Sequence, residues 1–155
     1  MGAPPPDDRR RDASPATKTA NAEMAASLPF EDRRDFDEAA RGLIAPLPDD
    51  GVVTGEDGNP VWDLSRFSFI HQDAPAPETV NPSLWRQSQL VVQGGLYEVV
   101  PGLYQVRTID LSNITFAEGD DGIVVFDPLI SVETARAALE LYYAHRPRKP
   151  VVAVP

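Results

Sequence analysis

Few residues of this chain can do chemistry unaided. There is no cysteine among the 155 residues, so disulfides, thiolate nucleophiles, zinc knuckles and iron–sulfur clusters are excluded within it. The two histidines, His71 and His145, are far apart and have no carboxylate cluster beside them at ligand spacing. His145 falls where a helix is expected to end, and a cation there suits the negative end of the helix dipole. Arg9-Arg10-Arg11 has the form of a twin-arginine export signal, but such a signal needs an apolar stretch after the charges. Asp12, Ser14, Lys18, Asn21 and Glu23 interrupt every candidate. The residues alone therefore assign no catalytic group and no metal ligand, and no cofactor is expected in this chain.

Charge narrows the partners. The formal net charge is -10, and residues 29–100 carry net -8 of it. Phosphate-backbone binding needs clustered cations, so no nucleic-acid partner is expected. The apolar runs reach four or five residues, too short for a membrane span. No signal peptide is visible, which leaves a cytoplasmic location as the default expectation. The 16 prolines are about twice ordinary usage, which points to many loops.

The elements follow from pattern and punctuation. Residues 1–15 are polar and proline-rich and read as a disordered tail. Residues 16–95 read as an arm, partly helical and partly irregular. Thr17 to Leu28 is alanine-rich and helical, stopped by Pro29. Phe30 to Ile44 is expected to form a second helix, with Phe36, Ala40, Leu43 and Ile44 on one face. Residues 45–80 hold turn signals with apolar islands at Val61-Trp62 and at Phe67, Phe69 and Ile70. Asn81-Pro82 is a cap followed by proline at the first helical position. From residue 96 the pattern turns to strands at Leu96–Val100, Leu103–Arg107, Asn113–Glu118 and Ile123–Phe126, the last expected to be buried on both faces. Ser131 is expected to cap a helix to about His145, with Val132, Ala135, Leu139 and Tyr142 on one face. Val151 to Val154 is a further short strand. Residues 96–155 thus read as the truncated opening of an α/β (α+β) layered domain.

Two stretches carry a resemblance: LPFEDRRDFDEAARGLIAPLP (residues 28–48) and NPSLWRQSQLVVQGGLYEVVPGLYQVRTIDLSNITFAEGDDGIVVFDPLISVETARAALELYYAHR (residues 81–146). Together they resemble the N-terminal part of the zinc-dependent alkyl sulfatases of the SDS-hydrolase type, members of the metallo-β-lactamase superfamily. GDDGIVVFDP is the more generic element and is similar to the opening hairpin of that superfamily at large. The resemblance implies an incomplete αββα sandwich, a whole enzyme that hydrolyses primary alkyl sulfate esters to alcohol and sulfate, and two zinc ions. It also implies a homodimer formed through a downstream domain. In such enzymes the strand matching Val151–Val154 leads into a His-x-His-x-Asp-His loop. Here Pro155 follows instead, so the resemblance implies that this fragment lacks the ligands and is inactive alone.

It also gives residues two readings each. Asp127 matches the aspartate ending the first buried strand and could orient the metal loop, or it is a strand-end cap before Pro128. Asn113 lies at a hairpin that faces the metal cleft and could touch substrate, or it stabilises its own turn. Trp62, Phe67, Phe69 and Trp85 could line an alkyl-chain pocket, or they anchor the arm. Two other function classes stand beside the sulfatase: a non-catalytic binding module, and another metallo-β-lactamase-fold hydrolase such as a lactonase or thioesterase.

Overall fold

In the computed structural model residues 11–155 are described. The expected tail therefore lies outside the described residues over 1–10. Helix α1 spans Pro15–Ser27. Ser14 caps it by accepting from the Thr17 amide at 3.1 Å, and Pro15 opens the first turn. Leu28, ahead of Pro29, is already extended.

The second helix is shorter than its pattern. Helix α2 covers Arg34–Ala40 only, and Leu43–Pro46 form strand β1. The break lies at Gly42, with φ at 78°. A side chain there would collide with the Glu98 carbonyl oxygen, so only glycine lets the chain turn this close to its neighbour. Leu43 pairs with Tyr97 and Pro46 with Gly95. Of the expected apolar face, Phe36 is buried while Leu43 and Ile44 are exposed. Pairing to an adjacent strand overrode the 3.6-residue pattern.

Residues 45–80 hold more order than their turn signals suggest. Strands β2 (Val52–Thr54) and β3 (Pro60–Asp63) form an antiparallel hairpin. Its turn closes through Gly55 and Asn59, 2.8 Å from N to O. A tight turn at Pro48–Gly51, with Asp49 and Asp50 in the left-handed region, precedes it, and a short 3-10 turn at Leu64–Phe67 follows it. Helix α3 (Pro82–Val91) starts as expected, the Asn81 side chain accepting from the amides of Ser83 and Leu84.

The last third is a sheet. Strands β4 (Gly95–Val100), β5 (Leu103–Arg107), β6 (Ile114–Glu118) and β7 (Ile123–Phe126) form an antiparallel meander. Helix α4 (Val132–His145), capped by Ser131, carries the chain to strand β8 (Val151–Ala153), which pairs parallel to β7. The sheet order is β1-β4-β5-β6-β7-β8. The protein is thus α/β, as its sequence pattern indicates.

One face of the sheet carries the core. Leu96, Tyr104, Val106, Ile114, Phe116, Ile123 and Val125 meet Ala138, Leu141 and Tyr142 of α4. The Tyr142 ring stacks on Phe116 at 4.5 Å between centroids and meets Tyr104 edge-on. Two expectations fail here. The inward stripe of α4 is Thr134, Ala138, Leu141 and Tyr142, and Val132 is exposed. Strand β7 is buried on one face only, with Phe126 44% exposed, because among the described residues nothing covers the other side of the sheet at that strand.

At the end of the sheet where β6 passes into β7, a polar network ties α4 down. Arg146 donates to both carboxylate oxygens of Glu118, at 2.8 and 2.9 Å, and the Tyr142 hydroxyl donates to Glu118 at 2.7 Å. These charge-assisted bonds hold the Glu118 carboxyl at about 2, below the ordinary 4.5, against the opposing effect of burial. Burial and the Glu118 carboxylate push the Tyr142 phenol up.

Candidate functional site

Strands β5, β7 and β8 run in the same direction, so their carboxyl ends lie together at one end of the sheet. The loops leaving those ends are residues 108–113 and 127–131. In open α/β sheets this is where ligands bind. This end of the sheet also holds three of the five non-glycine residues with positive φ among the described residues, the other two being Asp49 and Asp50 of the arm. Thr108, Asp127 and Leu129 adopt positive φ angles of 67°, 51° and 73°. None is glycine, and such residues persist only where the surroundings hold them, commonly at functional sites.

The surroundings do hold them. The Thr108 carbonyl accepts from the Trp62 indole at 3.0 Å, and its hydroxyl donates to the Val91 carbonyl at 2.8 Å. The Thr108 amide donates to the Asn113 side chain at 3.4 Å. Asn113 is exposed and closes its own turn. Asp127 is exposed at the end of β7, and Ser112 donates to it across the two loops at 3.2 Å. The structure therefore brings the Asn113 turn and Asp127 to one place.

Pattern reading missed the residue that joins the loops. Asp110 is 7% exposed. One of its oxygens accepts from the Leu111 amide at 2.6 Å. The other accepts from the Ile130 amide at 3.1 Å and from the Thr134 hydroxyl at 2.6 Å. One carboxylate thus connects loop 108–113, loop 127–131 and the first turn of α4. The signal lay in Asp-Leu-Ser-Asn, separated from the end of a strand by two residues, matched by Ser131-x-x-Thr134 at a helix start.

Around this polar patch Leu111, Ile130 and Val132 are at least two-thirds exposed, and Phe126 and Val154 are about half exposed. Within residues 108–131 the two loops at this end of the sheet, 108–113 and 127–131, carry two carboxylates, Asp110 and Asp127, and no Lys or Arg. This segment can orient groups and offer apolar contact, but it cannot neutralise an anion.

The other candidates lie elsewhere. His71 contributes its backbone carbonyl, which accepts from the Gln89 side chain. His145 is the last residue of α4. Among the described residues no three His, Cys, Asp or Glu side chains are placed to hold a metal, so the residues present do not fit a dinuclear zinc centre. Nor do the four aromatics form one pocket. Trp85 is buried with its indole N–H on the Ala74 carbonyl at 2.8 Å, and Trp62 packs against the main core. Phe67 and Phe69 are exposed, Phe69 lying 6.3 Å from Trp85. The two tryptophans are anchors of the arm.

These features describe an α/β protein with a held loop cluster at the carboxyl ends of its strands, and comparison with known proteins gives that class a family context. The chain is 59% identical over 142 residues to a linear primary-alkylsulfatase of Pseudomonas sp.. It is 52% identical to an (R)-specific secondary-alkylsulfatase of Pseudomonas sp. and 46% identical to an alkyl/aryl-sulfatase of Saccharomyces cerevisiae. Each match takes in 92–93% of this chain but only 21–22% of the relative. The solved structure of a stereoselective inverting sec-alkylsulfatase from Pseudomonas sp. superposes with a TM-score of 0.86 at 52% identity, over 93% of this chain and 22% of that one. No protein-family model matches the chain. The resemblance to alkylsulfatases read from the sequence therefore holds over nearly the whole chain, and the chain spans about a fifth of the length of those relatives.

Proposed function

We propose that this chain is the N-terminal segment of an alkyl sulfatase of the metallo-β-lactamase fold, and that the whole protein hydrolyses primary alkyl sulfate esters to alcohol and sulfate. The observation that carries this is the 59% identity to a linear primary-alkylsulfatase, higher than the 52% to the secondary-specific relative. In this reading the two zinc ions are held by sequence outside this chain, because the described residues do not furnish the ligands. The segment's own contribution is positional. Its arm docks against the sheet, and loops 108–113 and 127–131 present Ser112, Asn113 and Asp127 beside exposed apolar side chains. Carboxylates at Asp110 and Asp127 next to apolar surface suit holding the site's own groups and an alkyl chain, while the sulfate is bound by cations elsewhere.

The test is a chimera in which residues 14–155 replace the matching fifth of the Pseudomonas linear primary-alkylsulfatase. It should release sulfate from decyl sulfate in preference to 2-octyl sulfate, and a chelator should abolish the activity. The isolated 155-residue chain should release none. Chelator-sensitive hydrolysis by the isolated chain, or a folded chimera without activity, would contradict the proposal.

A further inference from the structure

We propose that Asp110 is a positioning residue for this reaction: its buried carboxylate fixes loop 108–113 to loop 127–131, and so sets the geometry of the Ser112–Asp127 pair at the carboxyl ends of the strands. The inference rests on the alkyl sulfatase reading above. Three observations carry it. First, Asp110 is one of only three buried polar or charged side chains among the described residues, and its two oxygens satisfy three donors on three different segments. A carboxylate so deeply placed is expensive to desolvate and is retained where its bonds fix something. Second, the residues it spans include three of the five non-glycine positions with positive φ, Thr108, Asp127 and Leu129. Strained backbone relaxes when the contacts that determine it are lost. Third, the bond across the loops from Ser112 to Asp127 is exposed and long at 3.2 Å, too weak to define the loop geometry without the buried bond beneath it.

The geometry separates positioning from plain stability. Thr134→Val removes the tie to α4 but leaves both loop amides bonded to Asp110. Asp110→Asn keeps the volume but has one acceptor oxygen where three donors converge, so at least one loop amide loses its partner. In the chimera, D110N should lower kcat for decyl sulfate about 10- to 100-fold with KM changed by less than about threefold, as expected for a misplacement near 1 Å. T134V should lower the melting temperature and leave kcat within about twofold. Amide exchange at Leu111 or at Ile130 should accelerate in D110N, and both should stay unchanged in T134V. Equal kcat losses in the two variants, or unchanged exchange at both Leu111 and Ile130 in D110N, would overturn the proposal. The exchange arm reads out whether or not the chimera hydrolyses sulfate esters. An inactive chimera would therefore count against the sulfatase reading, while slow exchange in D110N would count against the positioning role.

Discussion

Glu118 shows how a single side chain can be both a stabiliser and a pH switch. Two bonds from Arg146 and one from the Tyr142 hydroxyl converge on its carboxylate. Held at about 2 against an ordinary 4.5, the carboxyl binds its proton less tightly in the folded chain than in the unfolded one. Its contribution is therefore complete above pH 4.5 and disappears as the pH falls towards 2. The protection of α4 amides, taken against their intrinsic exchange rate at each pH, should fall over that window, and Glu118→Gln should weaken the helix by about 2 kcal/mol at neutral pH while removing much of the pH dependence. An E118Q chain with wild-type exchange at neutral pH would show that α4 is held by its apolar stripe alone. Arg146 also lies over the Tyr104 ring at 4.5 Å, so Arg146→Lys should recover only part of the effect.

At the scale of elements the arm depends on Arg86. Its guanidinium donates to both oxygens of Asp35, at 2.9 and 2.7 Å, and to the carbonyls of Phe30 and Asp32. It also faces the Phe36 ring at 5.0 Å. A planar fork makes these bonds at once, and an ammonium cannot. Arg86→Ala and Arg86→Lys should both open the segment around residues 28–42 to limited proteolysis, with the sheet left protected. Equal cleavage of wild type and R86A would mean the arm is held otherwise. What was legible in the sequence divides along these elements. Asn81-Pro82 and Ser131 announced their helices through local capping chemistry, because each signal is contained within a few residues. The end of α2, the β2–β3 hairpin and the inward face of α4 were not legible, because a neighbouring strand or sheet decides them. Asp127 and Asn113 were found through a resemblance. Asp110 escaped because its partners, Ile130 and Thr134, are adjacent only in the fold.

On the scale of the whole molecule the sheet is covered unevenly. Helix α4 and the β2–β3 hairpin bury one face, while Val99, Phe126 and Val152 are 44–60% exposed. Val151, Val152 and Val154 also leave β8 as an apolar edge in the described residues. Exposed apolar edges pair with other chains. The isolated chain should therefore associate with rising concentration in light scattering, and a sharp melting transition of a clean monomer would contradict this. No helix among the described residues is long and apolar enough to cross a membrane, so burial in a bilayer by a helix does not account for that surface.

The central claim is that these residues are the scaffold of an alkyl sulfatase whose metal ligands lie in sequence outside them. Reading the nucleotide sequence that follows codon 155 tests it most directly. The claim predicts a coding segment, in frame or shifted, that continues from Val151–Pro155 into His-x-His-x-Asp-His. Several hundred downstream nucleotides with no such segment in any frame would contradict it.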